Sequence, residues 1–305
     1  MTATPKANLP ASVRQRLLNL SQARGEAFDL VLVRFAVERL LFRLSQSPSA
    51  DRFLLKGAML FAVWADGMHR PTRDVDLLGF GSDDSVVICA IFRELCELSV
   101  PPDGVEFSAS SVRVSPIRED ARYSGLRVQL EARLAGARIP VQVDIGFGDA
   151  VTPAPEAITF PALLDFAAPI LRAYPIYTVV AEKTEAMVSL GEANTRMKDF
   201  YDLRFLATRF EFDKTQLVES LRATFTRRVT LLPTGVPVSL TDDFSANRER
   251  AIRWRAFLRR NGLGEVEFST AMSEVSAFIG PVLIAAADAP NAELSGRWVP
   301  GSGWR

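Results

Sequence analysis

The chain has one histidine, two cysteines and no net charge. A lone His69 excludes a histidine-rich zinc centre and argues against a Ser-His-Asp triad. Cys89 and Cys96 sit seven apart in a segment of helical apolar spacing. That spacing separates them by about 10.5 Å along a helix axis, too far to bridge each other. They read as free thiols of a reducing compartment. With Lys and Arg equal in number to Asp and Glu, the whole molecule is no electrostatic sponge for nucleic acid, so charge must be sought locally. Long apolar runs are also missing: Ile279 to Ala287 is apolar but too short to span a bilayer, and Met1 to Pro10 is polar, without a signal-peptide core. The expectation is a cytoplasmic protein with no membrane partner.

What is present is an ordinary globular composition, 48% apolar and 24% charged, over 305 residues. That length suffices for one large domain or two smaller ones with proper cores. Helical spacing runs from Ser12 to Ala23 and from Glu26 to Leu44. Phe53 to Leu55 reads as a strand ending at the Lys56-Gly57 turn, Ala58 to Trp64 as a helix, Asp74 to Leu78 as a strand and Ser85 to Leu98 as a helix. Val105 to Phe107, Ser111 to Val114, Ser124 to Leu134 and Ile139 to Ile145 read as strands, the last two turning at Gly136. This order predicts a mixed α/β sheet. The prolines at 153, 155, 161 and 169 suggest a boundary. Beyond Pro175, helices are expected at Val179 to Leu190, Arg196 to Thr208, Lys214 to Thr224, Asn247 to Arg260 and Glu267 to Ile279. The Gly-rich tail from Ser295 reads as loosely held, with Trp298 and Trp304 as its only anchors.

Asp74 and Asp76 are the sharpest chemical feature. Alternate residues of a strand share a face, so both carboxylates project together while Val75 and Leu77 turn to the core. Such a pair suits a hard divalent cation, which takes one or two carboxylates plus substrate phosphate oxygens. Upstream, Lys56-Gly57-Ala58 lies between a strand and a helix, where backbone N–H groups can face a phosphate and Gly57 permits close approach. Asp144, flanked by apolar residues, is either a third metal ligand or a strand-end cap near Gly146.

The strings Leu55-Lys56-Gly57-Ala58-Met59-Leu60-Phe61 and Arg73-Asp74-Val75-Asp76-Leu77 resemble the first motif of nucleotidyltransferase-fold enzymes. The later strings Glu182-Lys183-Thr184-Glu185-Ala186-Met187-Val188 and Asn194-Thr195-Arg196-Met197-Lys198-Asp199-Phe200-Tyr201-Asp202-Leu203 resemble the signature of the AbiEii/AbiGii abortive-infection toxins. The order of these elements makes the match specific. Ala58 stands where many nucleotidyltransferases have Ser, so a hydroxyl contact to phosphate is absent. The resemblance implies an α/β (α+β) architecture: a nucleotidyltransferase-fold mixed sheet with N-terminal helices over residues 1–155, then a mostly helical region, 156–305, that completes the active site. It implies Mg²⁺ (or Mn²⁺) on Asp74 and Asp76, with Asp144 as a further candidate, and an NTP substrate bound by Lys56, Gly57, Ala58 and Lys183. Asp199 would serve near the attacking hydroxyl as general base or second metal contact. Read from the residues alone, Asp199 and Asp202 could equally be a solvated face paired with Lys198 or Arg196.

For the acceptor, basic residues outnumber acidic ones by about six between Arg196 and Arg260, with Arg227-Arg228 preceding a dense run from Arg248 to Arg260. Such a face suits a phosphate backbone. Arg196, Lys198, Arg253 and Arg260 are the candidate RNA contacts. The family's relatives add nucleotides to the 3′ end of tRNA and are held in check by a cognate antitoxin, so the resemblance implies both partners. Two other readings remain open at this stage: a nucleotidyltransferase that modifies a protein or small molecule, and a non-catalytic member that binds only NTP or a partner.

Overall fold

The computed structural model describes residues 8–65, 69–117, 125–288 and 295–305. It separates into two compact units, one comprising residues 1–148 and 156–173 and the other residues 149–155 and 174–305.

In the first unit, α1 (Leu9–Arg24) starts at an Asn8 side-chain cap and stops at Gly25, whose φ of 62° is the left-handed conformation of a helix end. α2 (Phe28–Gln46) is buried along almost its whole length from Leu30 to Leu44. Then follow β1 (Phe53–Lys56), a 3-10 turn over Gly57–Leu60, the four-residue α3 (Phe61–Trp64), β2 (Asp74–Gly79), α4 (Ser85–Glu97), β3 (Glu106–Phe107), β4 (Arg113–Pro116), β5 (Gly125–Leu134), β6 (Ala137–Phe147), β7 (Glu156–Thr159) and β8 (Ile170–Ala173). The sheet runs β3-β5-β6-β2-β1-β8-β7, with β4 also on β5. It is mixed: β2 is parallel to β6 and antiparallel to β1.

Alternation gives this sheet two faces of different chemistry. Val75 and Leu77 on β2, Val128 and Leu130 on β5, and Val141, Val143 and Ile145 on β6 are buried, and α2 packs on β6. Asp74, Asp76, Gln142, Asp144, Arg127 and Gln129 take the intervening positions and stay half-buried or exposed. The β5–β6 hairpin turns through Ala135 and Gly136, both at positive φ (47° and 81°), which matches the twist of the two strands.

Two differences from the sequence reading lie here. The segment after Gly57 is a 3-10 turn running into one short helical turn, not a continuous helix. The Pro-rich stretch, expected to be a divide, carries β7 and β8, and β8 pairs in parallel with β1. Two four-residue strands between prolines are too short to show a periodicity.

The second unit contains α5 (Ile176–Leu190), α6 (Met197–Arg209), β9 (Phe212–Asp213), α7 (Lys214–Arg227), α8 (Asp242–Ala246), α9 (Arg248–Arg260), α10 (Phe268–Ala287), β10 (Arg297–Val299) and β11 (Gly303–Trp304). α10 corrects an expectation. At 20 residues it is long and apolar enough to cross a membrane by length and composition. Here it is a core helix against α6, α7 and α8, burying Phe268, Met272, Val275, Phe278, Ile279 and Val282. The tail is not loose. β10 pairs with β9 and β11. The Trp298 indole donates to the Ala207 carbonyl at 2.7 Å and that of Trp304 to the Phe278 carbonyl at 2.9 Å. Both rings pack on Phe278, so each indole buries its apolar body and satisfies its one donor.

Candidate active site

The polar face of the first unit's sheet carries a transverse row of charge. Lys56 on β1 lies in register with Asp76 on β2, Asp76 with Asp144 on β6, and Asp144 with Arg127 on β5. Residues directly opposite on adjacent strands share a face, and the strands are about 4.8 Å apart. Two carboxylates are therefore flanked by two cations. Asp74 sits one pleat along, in register with Gln142, which in turn faces Gln129. Asp74 is exposed and Asp76 half-buried.

Gly57 is fitted to this row. Its φ is +71°, which L side chains rarely adopt. A Cβ added there would lie 2.6 Å from Asp76 Cγ and 2.7 Å from Asp76 Cβ. Glycine is needed for the acid of the next strand to sit against the turn, a role that the sequence reading assigned only to phosphate approach. The Asp76 side chain itself takes the place that a Gly57 side chain would fill. Asp74 and Asp76 on one face of β2 are the kind of donor set that a divalent cation takes when phosphate oxygens complete its shell.

Asp144 is held differently. Its Oδ1 accepts from Arg127 Nε at 2.8 Å and its Oδ2 from Arg127 Nη2 at 2.7 Å. Among the described residues, no three His, Cys, Asp or Glu side chains are gathered so as to hold a metal ion. Arg127 is a residue that the sequence reading missed. A signal was available: residues 127 and 144 are equidistant from the two-residue turn at 135–136, so the hairpin must pair them.

In the second unit, α5 supplies Lys183 and α6 supplies Asp199 and Asp202. Lys183 Nζ lies 2.9 Å from Asp199 Oδ1 and 2.6 Å from Asp202 Oδ2. All three are sheltered, and Asp202 is fully buried. These acids do not lie on a solvated face, since both are buried, although Asp199 does pair with Arg196 at 3.9 Å. Asp202, not among the expected site residues, is half of the Lys183 clasp. Two buried carboxylates on one ammonium fix the direction of Lys183.

Some of the basic excess is internal. Arg228 is bound by Glu185 at 2.8 Å, Glu182 at 3.0 Å and Asp149 at 3.3 Å. These three acids outweigh its desolvation and push its pKa further up. Arg250 is tied to Glu192 at 2.7 Å and lies 3.9 Å over the Phe244 ring. Neither side chain presents a solvated cation, so both leave the surface basic count. Arg248, Arg253, Arg255, Arg259 and Arg260 on α9 are exposed. α9 is anchored to α6 through Tyr201, whose ring packs on Trp254 and Phe257.

Residues 39–274 match the family profile described as nucleotidyl transferase AbiEii toxin, type IV TA system. The chain belongs to the AbiEii nucleotidyltransferase toxin family. Membership makes it an enzyme class that uses an NTP and implies a cognate antitoxin. Two solved structures resemble it. One is JHP933 from Helicobacter pylori, at 13% identity and TM-score 0.48, covering 86% of this chain and 93% of that one. The other, also from H. pylori and described as a nucleotidyltransferase, gives 14% identity, TM-score 0.48 and coverage of 86% and 96%. No curated protein matches the chain at a significant level.

Proposed function

We propose that this AbiEii-family nucleotidyltransferase transfers a nucleotide from an NTP to the 3′ end of tRNA and so blocks translation. The observation that carries the choice of acceptor is the exposed arginine face of α9, anchored on α6, the helix that presents Asp199. Arg253 and Arg260 lie seven apart, two turns along one face. The Arg253–Glu249 pair is exposed on both sides, so it contributes little and is readily exchanged for a phosphate.

Asp74 and Asp76 are the residues that would hold Mg²⁺ or Mn²⁺, which when bound neutralises triphosphate charge and polarises the phosphorus under attack. Gly57 lets Asp76 sit against the turn. The Lys56-Gly57-Ala58 turn supplies backbone N–H groups to phosphate, and Lys183, clasped by Asp199 and Asp202, supplies a directed ammonium. Asp199 is the acid assigned to the incoming 3′ hydroxyl. Arg196 and Lys198, exposed at the start of α6, extend the α9 face.

The test is a salt titration of tRNA binding. Each phosphate contact releases counterions, so neutralising a contacting arginine lowers the slope of log K against log salt by about one. Arg253→Ala with Arg260→Ala should lower it by about two. Arg250→Ala should leave it unchanged, because that side chain is tied to Glu192. Equal slopes for wild type and the double variant would remove α9 from the interface and favour a protein or small-molecule acceptor.

A further inference from the structure

The charge row contains one residue that the transfer reading leaves without a task. Arg127 forks Asp144 with two parallel hydrogen bonds, the Asp144 side chain being 21% and the Arg127 side chain 38% exposed. The fork is not needed to set the hairpin. The β5–β6 register is already fixed by the Ala135-Gly136 turn and by the buried cross-strand pairs Val128–Val143 and Leu130–Val141. What the fork does change is charge. Asp144 stands in register beside Asp76, and two neighbouring carboxylates repel unless a cation intervenes. A guanidinium cannot give up its proton, so Arg127 is a permanent internal cation on that acid.

We propose that Arg127 occupies Asp144 in place of a divalent ion and withholds the third carboxylate, so that the site binds metal weakly until nucleotide arrives. This rests on the reading that Asp74 and Asp76 hold the metal. A divalent ion drawing on Asp144 as well would share its oxygens with a fixed positive charge at 2.7–2.8 Å, and the two cations repel. Without nucleotide, the carboxylates left to the ion are those of Asp74 and Asp76, and two carboxylates alone are a poor cage for a hard cation. Triphosphate oxygens supply the missing ligands. Arg127 is thus a positioning residue that makes metal binding depend on substrate.

The experiment titrates Mn²⁺ alone into the full chain, following free Mn²⁺ by electron paramagnetic resonance. The proteins are wild type, Arg127→Gln, Arg127→Lys, Asp144→Asn and Arg127→Gln with Asp144→Asn. Arg127→Gln should bind Mn²⁺ at least ten-fold more tightly than wild type without nucleotide. Adding Asp144→Asn should cancel the gain, and Asp144→Asn alone should match wild type. Arg127→Lys, which keeps the charge but loses the fork, should gain less and covers the case in which the Gln variant fails to fold. A parallel arm measures Mn²⁺ with an NTP in wild type and in Asp74→Asn with Asp76→Asn. No gain in either Arg127 variant, with the Asp74/Asp76 effect intact, overturns the Arg127 inference alone. No loss in the Asp74/Asp76 variant overturns the metal reading and this inference with it.

Discussion

Replacing Gly57 by alanine separates backbone strain from damage to the acidic pair. The structure sets two costs. At φ +71° a side chain is strained by about 1–2 kcal/mol. The new methyl also falls 2.6 Å from Asp76 Cγ, an overpacking worth about 1–3 kcal/mol if the neighbour must move. Gly136 is the control: its φ is +81° but nothing lies within 4 Å of an added Cβ, so Gly136→Ala incurs only the first cost. Denaturant melts should therefore place Gly57→Ala about 1–3 kcal/mol below Gly136→Ala. Nucleotidyl transfer should fall at least ten-fold in Gly57→Ala, because Asp76 is displaced, and stay near wild type in Gly136→Ala. Equal melts with full transfer in both would show that Asp76 does not depend on the turn.

Lys183→Ala should weaken NTP binding by about 1.5–3 kcal/mol in calorimetry, the loss of one charge-assisted phosphate contact. It should also destabilise the chain, by about 3–5 kcal/mol, because the ion pair to the fully buried Asp202 is broken. Adding Asp202→Asn should recover part of the stability and none of the NTP affinity. Unchanged NTP affinity would remove Lys183 from the site. Glu38 gives a pH prediction. It is fully buried on α2, and burial pushes its pKa up to about 7, offset in part by the Leu163 N–H and by Arg39. A carboxyl whose folded pKa is raised binds its proton more tightly when folded. Its favourable contribution is therefore complete below the unfolded pKa of about 4.5 and is lost as pH rises to about 7, on the order of 3 kcal/mol. The stability of Glu38→Gln relative to wild type should rise across pH 4.5–7; parallel curves would contradict the assignment.

The parts of this molecule that the sequence displayed are those governed by short-range period. The alternation Asp74-Val75-Asp76-Leu77 is a property of one strand, and the structure keeps it. The helices after Pro175 appear within a few residues of their expected ends, although α10 runs past Pro281. What was hidden depends on a partner from elsewhere in the chain. Nothing local reveals that Asp76 leans on Gly57, because that requires the antiparallel β1–β2 pairing. Asp199 and Asp202 looked like a solvated stripe because their cation comes from α5. Arg228 looked like part of a basic surface until three acids of the same unit were found around it. Arg127 is the exception, since turn and register were enough to pair it with Asp144.

Nucleotide transfer to the 3′ end of tRNA leaves a label that can be followed on the RNA itself. The most direct measurement incubates the chain with total tRNA, Mg²⁺ and each α-labelled NTP separately, then resolves the RNA on a denaturing gel. Two controls accompany it: Asp74→Asn with Asp76→Asn, and tRNA whose 3′ terminal diol has been oxidised with periodate. Intact tRNA should take label from at least one NTP, and neither control should take any. Label on oxidised tRNA, label made equally by the Asp74/Asp76 variant, or label found only on protein would contradict transfer to the 3′ end.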